Sequence, residues 1–204
     1  MLGHGAGGGI ESPDLVGATQ AARSAGLSVA LVEQPYRVAG RRTPAPANQL
    51  DAAWIAAVSQ LRAGPLSGLP ILTGGRSAGA RVACRTAAAT GSVGVLCLAF
   101  PLHPPGRPEK SRLPELDAVE VPTLVVQGES DPFGAPPNGP NRTVAFIPGT
   151  HSLKSTTTVA AAVSDWLATT LTTLSERLDR ESAREAVEEN ADWPNWVLRE
   201  PFVG

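Results

Sequence analysis

Two rhythms of apolar residues alternate along the chain. Asn48–Ala63 carries Leu50, Trp54, Ile55, Val58 and Leu61 at helical spacing, which predicts an amphipathic helix with Trp54 as a core anchor. Ser12-Pro13-Asp14 opens an earlier helix, with a capping serine and proline in the first turn, that runs to Gly26. A third helix is expected over Ala78–Ala89. A fourth places Val159, Val163, Trp166, Leu167, Leu171 and Leu174 on one face. Between them lie short apolar runs of strand character: Leu27–Val32, Leu69–Thr73, Val93–Phe100, Val121–Val126 and Thr143–Ile147. The first of these reads as a buried parallel strand, and residues 34–47, rich in proline and arginine, read as a loop bordering a pocket. Strands alternating with helices predict an α/β fold, a mostly parallel sheet with helices on both faces.

Length and composition narrow this picture. A chain of 204 residues, 42% hydrophobic and 18% charged, suits one domain with a sizeable core. Its 17 basic and 19 acidic residues give no electrostatic case for nucleic acid or an anionic membrane. No apolar run approaches the roughly 20 residues of a membrane span. The N-terminus lacks the basic-then-apolar pattern of a secretory signal, so a cytoplasmic protein is expected. Cys84 and Cys97 fall in a helical and a strand pattern and are expected as buried free thiols.

The candidate chemistry sits where strands end. Gly75-Arg76-Ser77-Ala78-Gly79 is a G-x-S-x-G turn between an apolar run and a helix, the arrangement that exposes a nucleophilic serine. Asp131 follows Val121–Val126 and His151 follows Thr143–Ile147. Open parallel sheets gather their chemistry beyond the carboxyl ends of strands, and the chain order Ser…Asp…His suits a triad of nucleophile, orienting acid and base. The helix N-terminus after Ser77 offers the Ala78 N–H to an oxyanion, and the glycine-rich His4–Gly7 loop offers a second N–H, from Ala6. His4, Arg76 and His103 are expected around the pocket. No metal is expected, because His4, His103 and His151 lack metal-ligand spacing. A competing reading takes Gly3, Gly5 and Gly8 as G-x-G-x-x-G, with Glu33 as a ribose-binding acid; against it, only Met1 and Leu2 stand before the glycines.

His4-Gly5-Ala6-Gly7-Gly8, Gly74-Gly75-Arg76-Ser77-Ala78-Gly79-Ala80-Arg81, Pro101-Leu102-His103-Pro104, Gly128 with Asp131, and His151-Ser152 together resemble the α/β-hydrolase superfamily. The resemblance is to its dienelactone-hydrolase-related branch, and within that to the domain shared by bacterial proteins, a testis-expressed protein and a subunit of the NSL chromatin complex. It implies an α/β-hydrolase fold over residues 1–175, with Ser77, Asp131 and His151 as triad. The activity implied is hydrolysis of a small ester or thioester substrate through an acyl-enzyme, with no cofactor. The alternative function is a non-catalytic scaffold. The sequence departs from the family in two places. The N-terminal edge strands are missing, either because the true start lies upstream of Met1 or because the sheet is reduced. The proline-rich stretch between Asp131 and His151 cannot form the helix expected there, which weakens the hold on His151. Residues 176–204 form a polar, helix-permissive tail whose Trp193 and Trp196 are expected to dock on the body, a second subunit or a protein partner.

Overall fold

The computed structural model of the protein describes residues 1–191. Six parallel strands form one sheet: β1 (Leu2–Gly3), β2 (Leu31–Val32), β3 (Leu72–Arg76), β4 (Gly94–Leu98), β5 (Thr123–Gly128) and β6 (Arg142–Ile147). Their order is β2-β1-β3-β4-β5-β6. The helices are α1 (Pro13–Ser24), α2 (Pro35–Val38), α3 (Ala47–Ala63), α4 (Ala78–Thr86), α5 (Leu113–Asp117) and α6 (Thr156–Ala191), with a 3-10 turn at Pro108–Lys110. This is the α/β-hydrolase architecture. The chain steps from β1 outward to β2, then returns past β1 to β3. That reversal creates a crevice beyond the carboxyl ends of β1 and β3, where doubly wound sheets bind ligands.

Register explains how the two faces are filled. Gly3, Gly75, Cys97, Val125 and Val144 share one row across the sheet, and Leu2, Gly74, Leu96 and Leu124 another. The first row meets α3, α4 and α5. There Ala80, Ala83, Cys84, Val95, Cys97, Phe100, Leu116 and Val125 form one buried cluster. Tyr36, Leu50, Trp54, Val58, Ile71 and Val82 form the neighbouring one. The opposite face takes α1 and the first turns of α6: Leu15, Ala18, Val159 and Val163 are buried, and Trp166 reaches Gly94 of β4. Ion pairs then fix α4 laterally. Arg81 binds both carboxylate oxygens of Glu115, at 2.9 and 2.5 Å. Arg85 does the same to Asp51, at 2.8 and 2.7 Å. Bidentate guanidinium–carboxylate pairs have the geometry that makes such contacts count.

Three sequence expectations change. The Leu27–Val32 run is not a buried strand: only Leu31–Val32 pairs, and Leu31 is 37% exposed. It lies at the sheet edge beside a two-residue β1, which offers it no further partners; so short an edge is itself poor at recruiting other strands. The strand expected at Leu69–Thr73 instead spans Leu72–Arg76, with Leu69 exposed. Gly74 and Gly75 lie inside it because neighbouring backbones come too close for any side chain; a Cβ at Gly74 would run into the Leu96 carbonyl, and one at Gly75 into that of Gly3. Within residues 34–47, Pro35–Val38 forms a short helix.

Met1–Ala168 forms one compact unit, and the described residues 169–191 belong to a second. The second is described as helix through Ala191 and carries an exposed Arg177–Glu181 pair at 3.6 Å, one turn apart. Trp193 and Trp196 lie outside the described residues.

Candidate active site

The site assembles around the turn from β3 into α4. Ser77 caps α4 with φ 51° and ψ −106°, a conformation L-residues rarely hold. The turn is tight because the end of β1 presses on it. A Cβ at Gly79 would stand 2.5 Å from the Gly3 carbonyl oxygen and 2.8 Å from that of His4. The Ser77 N–H is held by the Leu98 carbonyl at 2.9 Å, so the strain is fixed in place by β4.

Ser77, Asp131 and His151, 74 residues apart at the extremes, meet here. The Ser77 Oγ lies 2.9 Å from His151 Nε2, and His151 Nδ1 lies 2.8 Å from Asp131 Oδ2. An ionised carboxylate only accepts, so Nδ1 donates to it and Nε2 is left to accept from the serine hydroxyl. The Asp131 side chain is 1% exposed and that of His151 16%. No helix separates them, yet backbone bonds hold His151. Glu129 N–H donates to the Ile147 carbonyl and Ser130 N–H to that of Gly149, both at 3.0 Å. Phe133 covers the imidazole, ring centroids 4.2 Å apart. The proline-rich loop is tied by Arg142, whose Nε donates to the Pro137 carbonyl at 2.8 Å.

The residues expected around a pocket take other parts. His4 is fully buried, not a pocket wall: its Nε2 accepts the Gln34 N–H at 2.9 Å and its Nδ1 donates to the Gly5 carbonyl at 2.7 Å. It holds the glycine loop in shape. Arg76 likewise faces protein. Its Nε sits 2.8 Å from Asp14 Oδ2, an ion pair without hydrogen-bond alignment, and its Nη2 donates to the His151 carbonyl at 3.2 Å. It braces α1, the serine turn and the histidine loop together. His103 donates from Nδ1 to the Pro104 carbonyl at 2.9 Å, and its ring lies against Gly134 in the acid loop. In the glycine loop, a Cβ at Gly5 would be 3.3 Å from that of Ser77, so Ala6 follows directly beside the nucleophile. Tyr36 donates to the Ala6 carbonyl at 3.3 Å; burial raises its phenol pKa, with Arg37 opposing, so the hydroxyl keeps its proton. Ala78 is the first residue of α4, and its N–H has no partner within the helix.

An open cleft of about 700 Å3 continues from this loop, lined by Gly8–Ser12, Glu33 and Arg37. Ser77, Asp131 and His151 are not in its wall. Gly3 closes β1, Gly5 and Gly8 stand in the loop after it, and Gly8 lies five residues before α1 begins, rather than under its first turn as a dinucleotide fingerprint requires. Among the described residues, no three His, Cys, Asp or Glu side chains group as metal ligands. Nor is any described helix long and apolar enough to cross a membrane.

Sheet order, crevice and serine turn define the class: an α/β-hydrolase fold. The chain belongs to the alpha/beta hydrolase domain family, whose model matches residues 1–175. No curated protein matches it. Among solved structures it is similar to an α/β serine hydrolase without lid from Xanthomonas campestris, 21% identical, with 82% of this chain and 81% of that chain covered and a TM-score of 0.61. Est1E from Butyrivibrio proteoclasticus is 17% identical, with 84% and 87% covered and a TM-score of 0.64. A thioesterase domain from the curacin biosynthetic pathway is 14% identical, with 81% and 89% covered and a TM-score of 0.52. At such identities the likeness is one of fold.

Proposed function

We propose that the protein is a serine hydrolase that cleaves a small ester or thioester through an acyl-enzyme on Ser77. The observation that carries this reading is the unbroken relay from Ser77 Oγ to His151 Nε2, at 2.9 Å, and from Nδ1 to Asp131 Oδ2, at 2.8 Å, beside an unpaired helix N-terminus. His151 takes the serine proton as Oγ attacks the carbonyl carbon. Asp131 holds the imidazole tautomer and stabilises the imidazolium. The Ala78 and Ala6 N–H groups receive the oxyanion. His151 then returns the proton to the departing alcohol or thiol, and water, activated by the same base, releases the acid.

Two of the fold relatives suit this chemistry: Est1E has been seen with ferulic acid bound, and the curacin domain is a thioesterase. The Gly-Gly-Arg-Ser and Pro-Leu-His-Pro segments favour the dienelactone-hydrolase-related branch. Short p-nitrophenyl esters and thioesters test the proposal. Wild type hydrolyses at least one of them and Ser77→Ala, equally stable, hydrolyses none. Equal rates for the two would refute it.

A further inference from the structure

Gln127 is the last polar side chain one would expect inside this sheet. It lies in β5, between Val126 and Gly128, and is fully buried. Its Nε2 faces three acceptors: Asp131 Oδ2 at 2.7 Å, the Gly134 carbonyl at 2.9 Å and the Phe100 carbonyl at 3.2 Å. Its Oε1 is buried with no hydrogen-bond partner. These two facts orient the amide. Turning it over would set Oε1 against three oxygens and leave the carboxylate without this donor, so nitrogen faces the acid. A strand interior seldom keeps an unpaired carbonyl, and such exceptions ask for a reason.

We infer that Gln127 is a positioning residue that aims the Asp131 carboxylate at His151. This rests on the proposed roles of Ser77, Asp131 and His151. Asp131 Oδ1 is held by the Phe133 N–H at 2.9 Å, and Oδ2 receives both the Gln127 amide and His151 Nδ1. Without the amide, Oδ2 is held by the imidazole alone, and the carboxylate can swing about its Cβ–Cγ bond, taking Oδ2 and the imidazole out of line with Ser77. The same amide reaches the segment just after β4, through Phe100, and the acid loop, through Gly134. Because Gln127 belongs to β5, the acid is thereby referenced to the sheet as well as to its own loop. A neutral donor is required at this position: a second carboxylate would repel Asp131, and a cation would compete with the imidazolium for it.

A double-mutant cycle with Asp131→Asn tests the inference, read by the rate of fluorophosphonate labelling and by kcat and KM on p-nitrophenyl acetate. Gln127→Met keeps volume and removes the donor. It is expected to lower kcat and the labelling rate by about 10- to 100-fold, the size of one hydrogen bond to a charged group, with KM within about twofold. In Asp131→Asn the same substitution is expected to change neither rate by more than about twofold, because the carboxylate it serves is gone. An unchanged Gln127→Met overturns the inference. So does an equal further loss in the Asp131→Asn background, which would make Gln127 a brace for the loop and not for the acid. If Gln127→Met does not fold, Gln127→Ser, with room for a water against the two carbonyls, takes its place in the cycle. A wild type that takes no label would instead remove the Ser77 reading, and this inference with it.

Discussion

Replacing Arg76 by methionine isolates the contact that braces the serine turn. Asp14 lies in the first turn of α1 with its side chain 1% exposed, and Arg76, 15% exposed, is its only ion-pair partner among the described residues. Removing one member of a buried pair typically costs about 3–5 kcal/mol, since the other charge stays buried. Asp14 keeps partial compensation: the Leu15 N–H on Oδ1 at 2.9 Å, and the positive end of α1. A helix terminus offsets roughly 0.3–1 kcal/mol for a nearby carboxylate. The expected loss for Arg76→Met is therefore about 2–4 kcal/mol, large against a typical domain stability of about 5–15 kcal/mol but short of unfolding it. Urea unfolding followed by tryptophan fluorescence measures it, with Trp54 a buried reporter. Adding Asp14→Asn to Arg76→Met should restore at least half the loss, because the charge left behind is removed. A loss under about 1 kcal/mol, or a double variant as unstable as the sum of the singles, would refute the reasoning. Hydrolysis should fall along with stability, since the same guanidinium holds the His151 carbonyl at 3.2 Å.

Two other outcomes follow from backbone and burial. Ser77→Gly should be more stable than Ser77→Ala by up to about 2 kcal/mol in the same urea assay, because glycine relieves the φ 51°, ψ −106° conformation that alanine retains; equal stabilities would mean the turn is unstrained. Cys84 and Cys97 lie 3.4 Å apart in the core. The Cys84 contact, with burial, raises the Cys97 pKa well above the usual thiol range, so Cys97 stays neutral where an unfolded thiol ionises. With a raised folded pKa, this contribution to stability is complete below the unfolded pKa and falls away as pH rises above about 8.5. Native protein at pH 8 should resist a thiol-reactive disulfide reagent that titrates both cysteines in denaturant; rapid native labelling would show the core opens.

Strand ends made much of this molecule legible. Ser77, Asp131 and His151 could be picked out because each closes an apolar run in a chain whose runs become parallel strands, and those three side chains do come together. Periodicity could not say which run lies at an edge, so Leu27–Val32 reads as interior although Leu31 is exposed. Glycine at the end of an apolar run reads as a stop; Gly74 and Gly75 are there because neighbouring carbonyls leave no room for a Cβ. The bracing side chains are the least legible. Arg76 and His4 look like pocket residues beside a serine and a glycine loop, and only the positions of Asp14 and Gln34 show them to be internal. Gln127 carries no signal at all in sequence, because one of its three acceptors belongs to Phe100, 27 residues away in the segment that follows β4.

The central claim, an activated serine at residue 77, is tested most directly by intact-mass spectrometry after incubation with a fluorophosphonate. Wild type and Ser77→Ala should be compared on samples shown to be folded. The account predicts one adduct on wild type and none on the variant. A folded wild type that stays unmodified, or an adduct that persists in Ser77→Ala, would contradict it.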